Sequence, residues 1–73
     1  MMTVDLIIPI LNEEEQLWNT VSVLHRTREQ WPFTTVIKIV DNGSTDGSAK
    51  IGSRLSQTIP GVDFTSIKDK GRG

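Results

Sequence analysis

The chain has 73 residues, 36% of them hydrophobic, with eight basic and nine acidic side chains and a formal net charge of -1. A chain this short forms one small domain that buries only about 60% of its unfolded surface. The charge balance excludes the basic field that nucleic-acid binding needs. Cysteine is absent and His25 is the single histidine, so neither a disulfide nor a Cys/His metal staple is available.

No apolar run approaches the roughly 20 residues of a membrane span. Met1-Met2-Thr3 lacks the basic flank and apolar core of a signal peptide. The absence of cysteine fits a reducing compartment, and the expected location is cytoplasmic.

Val4 to Ile10 is almost continuously apolar and reads as a strand covered on both faces. Pro9 sits near its end, where a missing N–H costs least. Asn12 reads as a helix N-cap, with Glu15 three residues on to complete a capping box. The helix predicted there runs to about Arg28. Leu17, Val21 and Leu24 form its apolar stripe, with Trp18 beside it, and Trp31-Pro32 ends it. Trp18 and Trp31 read as packing residues and His25 as a surface residue of the helix end.

Val36 to Val40 is the second predicted strand, stopping at Asp41. Asn42-Gly43 tolerate positive φ, and Ser44, Thr45 and Asp46 offer capping oxygens. A second helix is predicted from Thr45 or Asp46 to about Gln57, with Ile51 and Leu55 inward. Gly52 within it costs roughly 1 kcal/mol relative to alanine. Pro60-Gly61 is a turn, and Val62 to Ile67 reads as an edge strand. The expected order is β-α-β-α-β with parallel strands. Strands stepping one way place both helices on one face, because parallel crossovers are right-handed. The other face, apolar in the first two strands, then needs a cover. The chain is therefore expected to be the front part of a larger domain, or to meet a partner there. Residues 1–73 alone are expected to fold poorly.

Three segments are candidates for chemistry. Pro9-Ile10-Leu11-Asn12-Glu13 ends a strand at a helix start. Read functionally, it offers free N–H groups and a carboxylate to a base or ribose; read structurally, it is a capped helix and nothing more. Asp41 at a strand's carboxyl end can accept hydrogen bonds from a base or ribose, or simply open an Asx-type turn. Lys68-Asp69-Lys70-Gly71-Arg72-Gly73 combines glycines and cations that can approach a diphosphate, but by composition alone it is a solvated loop.

Other chemistries are excluded. Asn42-x-Ser44-x-Asp46-Gly47 imitates a calcium loop, yet Ser53 stands where a bidentate glutamate is required and a strand precedes it. The Asn42-Gly43-Ser44 sequon has no meaning without secretion. There is no Walker P-loop, no G-x-G-x-x-G after the first strand and no Ser-His triad spacing.

Taken together, these segments resemble the amino-terminal part of a glycosyltransferase family 2 domain with the GT-A fold. The nearest branch is the polyprenyl (dolichyl) phosphate mannosyl- or glucosyltransferases. Ile7-Ile8-Pro9-Ile10-Leu11-Asn12-Glu13 resembles the family's opening strand and its P-x-x-N-E ending. Ile39 to Ser48 resembles the V-D-D/N-G-S-x-D-G-T segment, and Lys70-Gly71-Arg72-Gly73 the K/R-G-K/R-G loop. The resemblance covers nearly the whole chain.

It implies the first half of a GT-A, Rossmann-like nucleotide-binding domain. Residues 1–73 would be the amino-terminal part of that single domain. Pro9, Leu11, Asn12 and Glu13 would line the nucleotide pocket, and Asp41 would hydrogen-bond the base. Gly43 and Ser44 would shape that turn, Asn42 with them would belong to the nucleotide-sugar site, and Asp46 would cap the second helix. Arg72, with Lys70, would lie near the diphosphate. Two positions depart from the family: Leu11 stands where an aromatic is frequent, and Asn42 where many members have a second acid. The D-x-D motif, its divalent cation (Mg or Mn) and the catalytic region would lie beyond Gly73, leaving no catalytic residue and no metal ligand in this chain. The implied partners are a nucleotide-diphosphate sugar and an acceptor of the membrane lipid-phosphate class, met at the cytoplasmic face of a membrane. Two other readings stay open: a nucleotidyltransferase-like nucleotide-binding α/β protein, and a non-catalytic binding module.

Overall fold

The structure is a computed structural model, which describes residues 2–67. Its elements are β1 (Thr3–Ile10), α1 (Leu17–Arg28), β2 (Thr34–Asp41), α2 (Ser48–Thr58) and β3 (Val62–Ser66). The strands form one parallel sheet in the order β1-β2-β3. This is the α/β class expected, three parallel strands with two helices, as in the first half of a GT-A domain.

The period of two along each strand decides what is buried. Val4, Leu6, Ile8 and Ile10 of β1 turn to one face, as do Thr35, Ile37, Ile39 and Asp41 of β2. Ile37 and Ile39 are completely buried there, together with Val21 of α1 and Leu55 of α2. Each such side chain contributes about 1.5–3 kcal/mol on leaving water. Leu17, Ile10 and Val62 complete the core, with Leu24, Ile51 and Phe64 packed against it. Both helices lie on this face, α1 against β2 and α2 against β2 and β3, and they touch each other. The opposite face carries Asp5, Ile7, Pro9, Val36, Lys38 and Val40, and Ile7 is 61% exposed. The charges on this face are Asp5, Lys38 and, on β3, Asp63, with Lys38 Nζ standing 3.3 Å from Asp5 Oδ2 and opposite Asp63 in register. The one-sided sheet expected from the strand order is what forms.

Both helix starts differ from expectation. Asn12 is not an N-cap. Its φ is 54°, the left-handed region that asparagine tolerates best among residues with a side chain. A turn follows, with the Glu13 carbonyl accepting from the N–H groups of Gln16 and Leu17. The helix begins only at Leu17, its N-cap Gln16 makes no side-chain cap bond, and its first turn holds no acid. The Asn12-Glu15 capping box does not form because the Asn12 side chain is bonded elsewhere. α2 likewise begins at Ser48, later than Thr45 or Asp46, although the Asp46 side chain does cap it by accepting the Ser48 N–H at 2.9 Å. Gly43 and Gly61 take the positive φ values of their turns. Asn42 does not.

The amino end of the sheet is tied by Arg28. Its Nη1 donates to the Thr35 carbonyl at 2.8 Å and the Gly61 carbonyl at 3.1 Å. Its Nη2 donates to the Pro60 carbonyl and meets His25 Nδ1 at 2.8 Å. One guanidinium thus joins α1, β2 and the turn before β3. His25 is half-buried against it, not a free surface residue. Trp31 stacks obliquely on Phe33 with ring centroids 5.6 Å apart. Trp18, expected to pack, lies 42% exposed.

Candidate functional site

The carboxyl ends of β1 and β2 are in register, Ile10 opposite Asp41, and the Asn42 N–H closes the ladder on the Ile10 carbonyl at 2.9 Å. Beyond that point two loops leave side by side, residues 11–16 and 42–47. Their amides are satisfied reciprocally. From the first loop, the N–H groups of Asn12, Glu13 and Glu14 donate to Ser44 Oγ (2.8 Å), Ser48 Oγ (2.6 Å) and Asp46 Oδ2 (3.2 Å). From the second, the N–H groups of Thr45 and Asp46 donate to Asn12 Oδ1 at 2.8 and 3.3 Å, and the Gly47 N–H donates to Glu14 Oε1. The Thr45 hydroxyl adds a longer contact to Asn12 Oδ1.

This clasp changes the reading of residues 9–13. The free N–H groups expected at the end of β1 are not free. The amides of Asn12, Glu13 and Glu14 belong to the clasp. Asn12 and Ser44, both expected at the nucleotide, bond each other. Glu14 and Ser48 are members of the clasp that sequence reasoning missed. Their signal was faint: Glu14 is the middle of three glutamates, and Ser48 falls within the first turn of the expected helix.

Other candidates point away from the clasp. The side chains of Pro9, Leu11 and Glu13 are exposed, Leu11 by 52%. Asn42 is exposed and Gly43 half-buried. An apolar groove of about 190 Å³ lies between the end of β1 and the start of α1, lined by Ile8, Pro9, Ile10, Glu13, Leu17 and Thr20. Glu13 also borders a second cleft, of about 310 Å³, with Asn12, Glu14, Glu15, Gln16 and Asp46. That cleft is lined by four carboxylates and no cation, which repels a phosphate.

Asp41 is 1% exposed. The Ser44 N–H approaches both its oxygens at 3.3 Å and the Ser66 hydroxyl approaches Oδ2 at 3.5 Å. The Asx-type turn is therefore present. These contacts are long for a carboxylate, whose good hydrogen bonds are about 2.7–2.9 Å. Among the described residues both oxygens thus accept only long contacts. Asp46 is held below the ordinary carboxylate range, mainly by the Ser48 hydroxyl; desolvation opposes this, and the Ser48 and Glu14 amides lower it further.

Among the described residues, no group of three or more His, Cys, Asp or Glu side chains could hold a metal ion. Two of the four acids at the cleft are engaged: both oxygens of Asp46 and one of Glu14 accept backbone amides. The described residues therefore offer no set that fits a divalent cation. Lys70 and Arg72, expected at a diphosphate, lie outside the described residues. No described helix is long and apolar enough to cross a membrane.

Comparison with known proteins gives one finding. Searches among curated proteins and among solved structures return no match. The family description Glycosyl transferase family 2 matches residues 5–72, which takes in the first two motif segments, the third up to Arg72, and both strand ends with the clasp between them. By that match, running nearly end to end, the chain belongs to glycosyltransferase family 2.

Proposed function

We propose that this chain forms the nucleoside-binding half of an enzyme that moves a sugar from a nucleotide-diphosphate donor to an acceptor. The observation that carries the reading is the placement of two acids at one rim. β1 and β2 run parallel and in register, so Glu13, three residues past Ile10, and Asp41, opposite Ile10, stand at the same edge of the sheet. Ligands of open α/β sheets bind at that edge. The groove beside Glu13 is apolar enough to take a base or the face of a ribose, with one carboxylate to accept ribose hydroxyls. Asp41 lies buried beneath the Ser44 turn, and would accept a base N–H once that turn yields to the ligand. Pro9 and Leu11 supply the apolar rim, and Asn42, Gly43 and Ser44 the turn that holds Asp41 in place.

The acidic cleft next to this groove leaves the diphosphate to cations elsewhere, and Lys70 and Arg72 are the candidates. A divalent cation, Mg or Mn, would neutralise the departing diphosphate in the complete enzyme. Its ligands are assigned to a D-x-D motif beyond residue 73. The acceptor class we assign, following the resemblance to the polyprenyl-phosphate branch, is a lipid phosphate reached at the cytoplasmic face of a membrane.

The test is calorimetric titration of UDP- and GDP-sugars into the complete protein. Asp41→Ala and Glu13→Ala should each weaken binding about tenfold or more, the loss expected when a hydrogen bond to a charged group is removed. Unchanged affinity in both variants rejects the nucleotide role.

A further inference from the structure

We infer that Asn12 is a positioning residue for the nucleoside rim. Its task is to lock the loop carrying Leu11 and Glu13 onto the loop that follows Asp41, and it contributes no contact to the ligand itself. The inference rests on the functional reading above and deepens it. Three observations carry it. Asn12 alone among the described non-glycine residues has a positive φ, at 54°. That backbone state turns its side chain across the gap, where a single oxygen accepts the amides of both Thr45 and Asp46. Its own amide is returned to Ser44 Oγ at 2.8 Å, across 32 residues of sequence.

The lock acts on geometry that the sheet no longer controls. The ladder ends with the Asn42 N–H on the Ile10 carbonyl. Past it, Glu13 is placed by the loop, and its side chain is exposed. Its backbone is held, through Ser48 Oγ, on one side of Asn12, and the Asp41 turn is held through Ser44 on the other. Release of Asn12 lets the two acids move independently. A site whose parts must be ordered on binding is weaker than one already ordered.

The chemistry at position 12 is narrow. The clasp asks for an acceptor oxygen on a short side chain and for a tolerated left-handed backbone. Aspartate supplies both. Alanine supplies neither, since it loses the oxygen and resists positive φ.

The experiment compares Asn12→Ala and Asn12→Asp in the complete protein, titrated calorimetrically with UDP and with GDP. Calorimetry separates two effects: unfolded protein lowers the stoichiometry, whereas misplaced binding groups raise Kd. The expected result for Asn12→Ala is a Kd raised about tenfold for the preferred nucleotide, with the stoichiometry kept by the folded fraction, and a return to within about twofold in Asn12→Asp. Ser44→Ala, which removes only the acceptor for the Asn12 amide, should give a smaller rise and serves if Asn12→Ala does not fold. A fall in stoichiometry at unchanged Kd, or a Kd in Asn12→Asp no better than in alanine, overturns the positioning role. A wild-type protein that binds neither nucleotide overturns the functional reading itself, and with it this inference. The two failures are distinct because only the second is seen without any substitution.

Discussion

Gly52 of α2 lies directly under the ring of Phe64 on β3: a Cβ built on the glycine would stand 2.5 Å from Phe64 Cδ1 and 2.6 Å from Cε1. A glycine inside a helix is normally a defect of about 1 kcal/mol. Here it is the condition for the helix to approach its strand. Gly52→Ala should therefore destabilise the protein by about 1–3 kcal/mol, the overpacking cost outweighing alanine's better helix propensity. Urea titration checks this. Phe64→Leu in the same chain should recover part of the loss, because the two sites share one contact. An unchanged or higher midpoint for Gly52→Ala contradicts the packing described.

Arg28 makes a forked attachment that lysine cannot copy. Arg28→Lys keeps the charge but loses the planar fork that reaches the carbonyls of Thr35, Pro60 and Gly61 together, of which Gly61 keeps the Ile37 N–H. The expected loss is about 1–3 kcal/mol. Thermal unfolding is the measurement, and a Tm equal to the parent would show that the fork is dispensable. Gly61, with φ 77° and its Cβ direction 3.0 Å from Arg28 Nη1, should tolerate alanine poorly for the same reason.

Thr35 offers a substitution in the opposite direction. Its hydroxyl is buried and, among the described residues, has no hydrogen-bond partner. Thr35→Val keeps the shape and removes an unsatisfied polar atom. A gain of up to about 1 kcal/mol is expected in the urea midpoint. A loss would mean that the hydroxyl has a partner after all.

The clasp carries a pH dependence through Asp46. Its folded-state pKa lies below its unfolded value, so the folded state favours the ionised form. The contribution is complete above the unfolded value of about 4 and disappears as pH falls through the folded value. Stability in the acid range should therefore fall more steeply in the parent than in Asp46→Asn, with the two curves converging below the folded-state value. Parallel curves from pH 6 down to the acid limb would show that Asp46 does not contribute in this way.

The strands and their faces were legible because a period of two and a buried face leave little freedom. Leu17, Val21 and Leu55 were readable as core for the same reason on a period of 3.6. The site was legible as a region but not in its wiring. Asn12, Ser44 and Asp46 each looked like local caps, since those residue types bond nearby amides in most chains. Here Asn12 and Ser44 bond partners more than 30 residues away, and Asp46 does both. Sequence carries no trace of that choice, because a cap and a cross-loop acceptor ask for the same oxygen. Trp18 was misplaced because its neighbour Leu17 takes the inward position on the helix.

The apolar side chains of β1 bear on one last point. Ile8 and Ile10 face the helices while Ile7 and Pro9 face away, so near its carboxyl end the strand is greasy on both sides. Hydrophobicity there offers no objection to sliding one residue along β2, a shift that would exchange the two sets. Asp5 resists such a slip at the far end, where it would be driven into the core. At the near end the resistance comes from Asn12, Glu14, Ser44 and Asp46, which fit one another in a single alignment only. The clasp thus serves as the ruler for the strand, and damage to it would be felt as slippage of the whole β1 edge rather than as a loosened loop.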